Sequence, residues 1–180
     1  MDYNDFETKK DKPFDENVEE ETQKDEWFLF QWGCAPSPGG AGDQMTWFDD
    51  PAKLADFVRH NLLWTAAVDM FADYMPEEEC SVEEIIAASA FMSEERDYLK
   101  EHLLHCLALA DAALAAPKDE IIPKVRECLA YYNEKFNRNP YGGWDEGADL
   151  VHGVDELREF WSKQEHYCYS EEEVNLFLEE

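Results

Sequence analysis

The excess of acidic residues limits what this chain can fold into more than any other feature. Its 180 residues include 43 Asp and Glu against 15 Lys and Arg, which gives a formal net charge of −28. Charges of one sign repel each other, so a compact state forms only if enough apolar surface is buried to offset that repulsion. Apolar residues make up 44% of the chain and aromatic residues 14%, an ordinary globular content. The sequence therefore predicts a folded domain with a strongly anionic surface.

The N-terminal segment differs from the rest of the chain. Residues 1–25 contain ten acids, four lysines and no apolar run, and they contribute −6 to the net charge. Such a segment buries too little apolar surface to offset its ordering entropy, so we predict a disordered acidic tail over residues 1–24. The tail either only solubilises the chain or docks onto a partner. The other −22 falls on residues after 25, and we predict a single domain over residues 25–180.

Two strands are predicted near the start of this domain. Residues 27–32 form a short aromatic run that is typical of a buried strand, and residues 44–48 read as a second strand. The segment between them contains Pro36, Pro38 and several glycines, which require a loop. We expect the two strands to form a hairpin with a long connection.

Apolar residues then recur at steps of three and four, the period of amphipathic helices. Asp49 or Asp50 caps a first helix, which we expect to continue to Pro76 with one break at Asn61; its predicted apolar face is Leu54, Phe57, Trp64, Val68, Phe71 and Met75. Ser81 and Glu84 form a capping-box pattern, and Ser93 begins a further helical pattern. Whether these two patterns form one continuous helix stays open. Another helix runs from about 119 or 122 to 136, with Val125, Leu129, Tyr132 and Phe136 on one side.

The C-terminal third mixes short strand and helix patterns. Residues 149–152 and 166–169 read as strands, and residues 154–163 and 170–178 read as helices. The fold class that follows is α+β, a predominantly helical single domain with a small antiparallel or mixed sheet.

Composition also excludes some partners and favours a compartment. The chain has no basic stripe to neutralise phosphates, so we expect neither direct nucleic-acid binding nor binding to an anionic membrane. The most apolar stretch, residues 103–116, is too short to span a bilayer. The five cysteines are widely spaced, lack any Cys-x-x-Cys pattern and are typical of reduced thiols. We therefore expect a cytoplasmic protein.

One cluster has the residue types of a metal site. Glu101, His102, His105 and Cys106 lie within one predicted helix, where neighbours at three and four residues share a face. A metal-dependent hydrolase using Glu101, His102 and His105 is therefore an alternative function. The competing interpretation is a half-buried, hydrogen-bonded His102 in the apolar stripe. No Gly-x-Ser-x-Gly or other nucleophile pattern occurs, so we predict no catalytic residue and no cofactor.

The distribution of the acids carries the main functional prediction. We expect a non-catalytic acidic binding or inhibitor protein that neutralises a basic partner: an immunity-type inhibitor of a toxin or nuclease, or a nucleic-acid mimic such as an anti-restriction or anti-CRISPR protein. The predicted partner-binding residues are Glu77, Glu78, Glu79, Glu83, Glu84, Glu94, Asp97 and Glu101, with Trp144 as an exposed aromatic anchor. Two other interpretations stay open: a merely solvated acidic surface, and an adaptor that docks through its tail.

Overall fold

The computed structural model describes residues 26–32, 45–72, 80–89, 93–137 and 146–163. These residues form a mostly helical domain around a small antiparallel sheet, which confirms the predicted α+β class. The strands are β1 (Trp27–Trp32), β2 (Met45–Phe48) and β3 (Gly147–His152). The helices are α1 (Pro51–Phe57), a π-helical turn (Val58–Leu62), α2 (Leu63–Phe71), α3 (Val82–Ala88), α4 (Glu94–Leu114), α5 (Lys118–Phe136) and α6 (Gly153–Lys163).

The sheet has the order β2-β1-β3. β1 pairs antiparallel with β2, with Trp27 opposite Phe48, so the predicted hairpin is confirmed. β1 also pairs antiparallel with β3, which comes from the other end of the described domain and places Trp27 opposite His152. The aromatic run of the sequence is thus the central strand.

The central position of β1 explains why almost all of its side chains are apolar. Alternate residues of a strand point to opposite faces of the sheet. Leu29 lies with Phe48 in the large core that the helices α1 to α5 share, whereas Phe28 and Phe30 lie with Leu157 of α6 in a smaller core. Both faces of β1 are therefore covered, and the sheet lies between two helical layers.

The helical segment after β2 departs from its predicted course. Asp50 caps α1 by accepting a hydrogen bond from the Ala52 amide over 3.0 Å, and Pro51 stands at the start of the helix. The expected single helix is interrupted by the π-helical turn, which contains Asn61, the one break in the apolar pattern. The last helical residue is Phe71, because Ala72 has an extended backbone. The continuation to Met75 and Pro76 lies outside the described residues.

The π-helical turn also corrects the predicted apolar face. Within this segment the buried residues include Leu54, Val58, Leu62, Leu63, Ala66, Met70 and Phe71. Phe57, Trp64 and Val68, which the pattern assigned to the core face, are only half-buried. A π-helical turn is wider than an α-helical turn, so Trp64 and Val68, which follow it, are rotated relative to the pattern of an uninterrupted α-helix. Phe57 precedes the turn and packs against the core without being enclosed by it.

The structure separates the two helices whose continuity the sequence left open. Ser81 accepts from the Glu84 amide and the Glu84 carboxylate accepts from the Ser81 amide, so the predicted capping box begins α3. Ser89, after α3, and Ser93, before α4, both have extended backbones. The Ser93 hydroxyl accepts from the Arg96 amide over 3.1 Å and caps α4. These are two helices with a break between them.

The α4 and α5 helices, joined by a short connection over residues 115–117, supply much of the core. Leu103, Cys106 and Leu107 of α4 are buried, as are all four residues of the predicted apolar face of α5. Leu114, the last residue of α4, is 38% exposed.

Several predictions lie beyond these residues. The acidic tail over residues 1–24, the strand over 166–169 and the final helix over 170–178 stay predictions, because they are outside the described ranges. Among the helices that the structure describes, none is long and apolar enough to cross a membrane.

Candidate functional site

The predicted partner-binding residues that the structure describes fall into two groups. Glu94, Asp97 and Glu101 lie on α4, while Glu83 and Glu84 lie on α3. The remaining predicted residues, Glu77, Glu78, Glu79 and Trp144, are outside the described ranges. The site as predicted is therefore described only in part, and its two described groups have different surroundings.

Glu94, Asp97 and Glu101 form the α4 acidic face. Their spacing of three and four residues places them on one side of the helix, over about 10 Å of its axis. All three side chains are exposed. None of them forms an ion pair within the part of the chain that the structure describes. The α4 acidic face is therefore a row of carboxylates that no basic side chain in the described ranges pairs with.

The backbone beneath the α4 acidic face is held by buried side chains. Leu99 and Leu103, between and beyond the three acids, are among the buried core residues. Glu94 and Asp97 also lie in the first turn of α4, where the positive end of the helix dipole stabilises them. Glu101 is beyond that turn, so helix stability does not account for it.

Glu83 and Glu84 are already engaged within the protein. The Glu83 carboxylate lies 3.0 Å from the Arg59 guanidinium, which also contacts Asp111 in the C-terminal part of α4. Asp111 is about 15 Å from Glu101 along the helix axis, so Glu83 is separated from the α4 acidic face. Hydrogen bonds from the backbone amide and the hydroxyl of Ser81 lower the pKa of Glu84, as expected for a capping carboxylate.

The predicted metal-like cluster is split among different environments. His102 Nδ1 lies 2.6 Å from the Tyr131 hydroxyl, and the His102 ring contacts Tyr98 edge-on with centroids 4.2 Å apart. Burial lowers the pKa of His102, and the nearby Lys135 lowers it further. Cys106 points into the core and Glu101 into solvent. His102 is thus half-buried and hydrogen-bonded, which was the competing interpretation.

No metal-binding arrangement is found in the described ranges. In those ranges no three His, Cys, Asp or Glu side chains are placed so that they could hold one ion. The exposed His105 instead lies against the Tyr131 ring, with centroids 4.4 Å apart. Of the residues predicted for a hydrolase site, His102 and His105 therefore make aromatic contacts between α4 and α5, while Glu101 is exposed.

The structure contains one functional candidate that the sequence did not single out, Glu146. An acid in so acidic a chain is expected at the surface, but Glu146 is buried and only 5% exposed. Its Oε2 accepts a hydrogen bond from the buried Tyr132 hydroxyl over 2.8 Å. The available signal was Tyr132 itself, because a tyrosine on a buried helix face needs a polar partner for its hydroxyl.

Comparison with known proteins identifies neither a family nor a function for this chain. The chain matches no protein-family model, no curated protein and no solved structure.

Proposed function

We propose that this protein binds a basic protein partner through the α4 acidic face, without catalysing a reaction. The observation that supports this most directly is the set of three exposed carboxylates, Glu94, Asp97 and Glu101, in one row and without ion pairs in the described part of the chain. The net charge of −28 would attract a cationic surface over long range and raise the association rate.

The spacing of the row suits a partner that normally binds a polyanion. Successive carboxylates are about 4.5 and 6 Å apart along the helix axis. Such a row can stand in for a series of phosphates in a groove lined by lysine and arginine. This chemistry is shared by an immunity-type inhibitor of a toxin or nuclease and by a nucleic-acid mimic, so both remain versions of the same proposal.

A reducing compartment fits this proposal. Cys80, Cys106 and Cys128, the cysteines in the described ranges, are all free thiols. Free thiols persist where the surroundings keep them reduced, as in the cytoplasm. We place the interaction there, where nucleases and nucleic-acid-binding proteins act.

The experiment is affinity capture of the partner at low ionic strength, followed by affinity measurement over a salt series. The test variant is the triple substitution E94Q/D97N/E101Q. The matched control is D119N/E120Q/E127Q, which removes the same charge from exposed positions of α5. We expect the test variant to weaken binding about tenfold or more at low salt and the control to change it much less.

Two results would contradict the proposal. The first is a complex whose affinity does not change with salt, because contacts between exposed opposite charges are screened by ions. The second is an equal loss in the two triple variants, which would show that only the overall charge matters and that the α4 acidic face has no special role.

A further inference from the structure

Glu146 lies where the chain enters β3 and meets the end of α5. It is the one buried charged residue among the residues that the structure describes. Its backbone amide donates to the carbonyl of Phe136, the last residue of α5, over 3.5 Å. That distance is at the long limit for an N–H···O bond. The backbone therefore holds Glu146 weakly, and its side chain is the main contact with α5.

The side chain is satisfied at only one of its two oxygens. Oε2 accepts from the Tyr132 hydroxyl, whereas Oε1 is buried and has no hydrogen-bond partner in the structure. An ionised carboxylate prefers several donors, and burying it with one donor is costly. A protonated carboxyl has no net charge and is much less costly to bury. The geometry therefore favours the protonated form when Glu146 is in place.

The titratable groups that face Glu146 do not compensate its charge. Tyr132 faces it from α5 and Asp69 faces it from α2. Cys106 of α4 interacts electrostatically with Tyr132 and not with Glu146 itself. No basic side chain is among the groups that act on Glu146. The pKa of Glu146 is raised to about 7, mainly by burial; the Tyr132 hydrogen bond lowers it, and Asp69 makes a smaller upward contribution.

The contacts that follow Glu146 along the chain limit how much of β3 could separate from α5. The Asn133 side chain accepts from the Ala148 amide over 2.8 Å and donates to the Ala148 carbonyl over 2.9 Å. These two bonds fix β3 to α5 from residue 148 onward. Gly147 is itself paired with Trp32 of β1, so within the described residues an opening that exposes the Glu146 carboxylate can be confined to Glu146.

We propose that Glu146 is a proton-controlled latch between the start of β3 and α5. With its proton, Glu146 stays inserted beside Tyr132 and the latch is closed. When the proton leaves, the carboxylate moves into water, and the contact between Glu146 and Tyr132 is broken while the Asn133–Ala148 bonds remain. The latch does not depend on the partner surface proposed for α4.

The latch has a defined pH dependence. An exposed glutamate has a pKa of 4.5, whereas the inserted Glu146 has a pKa of about 7. The opening equilibrium constant should therefore rise about tenfold per pH unit between these values and level off above the higher one. The largest possible change is roughly 300-fold.

The direct test is to follow the Glu146 side-chain carboxyl by ¹³C NMR between pH 4 and 9, together with amide hydrogen exchange at Glu146 and at Leu103 in the core. We expect a titration midpoint clearly above 4.5 and below the value of about 7 of the inserted group, because opening favours the ionised form. We also expect the Glu146 amide to lose protection up to about pH 7 while Leu103 stays far more protected. The variant E146Q, which carries no titratable group at this position, should lose the pH dependence of local exchange.

A second variant keeps the test decisive if E146Q does not fold. Y132F removes the hydrogen bond that lowers the Glu146 pKa, so its titration midpoint should move upward. Three results would overturn the latch: a midpoint near 4.5 in the wild type, a parallel loss of protection at Glu146 and Leu103, or an unchanged pH dependence in E146Q. The second would show that only global unfolding exposes the carboxylate.

Discussion

Arg59 and Asp111 form an ion pair across 52 residues of sequence, with Arg59 Nε 2.6 Å from Asp111 Oδ1. The same guanidinium donates from Nη2 to Glu83 over 3.0 Å. The Arg59 side chain is 13% exposed, whereas both carboxylates are more than half exposed. One half-buried cation thus joins the π-helical turn to α3 and α4, and it neutralises acids that the sequence alone would count as free.

Replacing Arg59 by methionine should destabilise the protein by about 1–2 kcal/mol at low salt. Methionine keeps an unbranched apolar stem, but the two carboxylates then lie near each other without a cation. Urea denaturation at low and high salt measures this, and the loss should shrink at high salt because the repulsion is screened. The control is K53M, which removes the exposed Lys53–Asp49 pair and should have no measurable effect. Equal losses in the two variants would contradict the prediction.

Asn133 should contribute more to stability than an exposed amide does. Its side chain makes two hydrogen bonds to the backbone of Ala148, which is 1% exposed. N133A leaves a buried donor and a buried acceptor without partners, so we expect a loss of about 2–3 kcal/mol in chemical denaturation. N61A, on the exposed side of the π-helical turn, is the control. The prediction fails if the two alanine variants are equally stable.

Glu146 should make the protein less stable as the pH rises. Burial raises the pKa of Glu146 from 4.5 to about 7, so below 4.5 the group is protonated in both the folded and the unfolded state. As the pH rises from 4.5 to about 7, the unfolded state releases this proton while the folded state keeps it. The free energy of unfolding therefore falls by up to about 3 kcal/mol over this range and does not recover at higher pH. The stability difference between wild type and E146Q, measured by urea denaturation from pH 4 to 8, isolates this effect. A difference that does not vary with pH would refute it.

Cys106 and Cys128 should be unreactive in the native protein. Both are fully buried, and the Cys128 thiol donates to the Cys106 carbonyl over 3.5 Å. The hydrogen bond with the Cys128 thiol, followed by burial, raises the pKa of Cys106 far above its ordinary value, so the reactive thiolate is absent at neutral pH. Iodoacetamide followed by peptide mass spectrometry should label the half-buried Cys80 before Cys106 and Cys128. Labelling of Cys106 as fast as Cys80 would show that this part of the core opens readily.

Local patterns were sufficient for most of the helices and strands. The capping box of Ser81 and Glu84, the aromatic strand over residues 27–32 and the apolar face of α5 follow from interactions between residues close in sequence. The predicted end of that helix, Phe136, is the end that the structure has. The π-helical turn was not predicted, although Asn61 marked it, because a break in periodicity does not say how the backbone accommodates it.

The sequence by itself determined that this protein is strongly acidic and that its helices are amphipathic, because charge and apolar spacing are properties of residues near one another in the chain. Only the tertiary structure decided which acids are paired with a base, which are buried and which are exposed to solvent. Glu83 meets Arg59, Glu146 enters the core beside Tyr132, and Glu94, Asp97 and Glu101 stay in water. These differences arise from contacts between distant segments, and no local pattern encodes them.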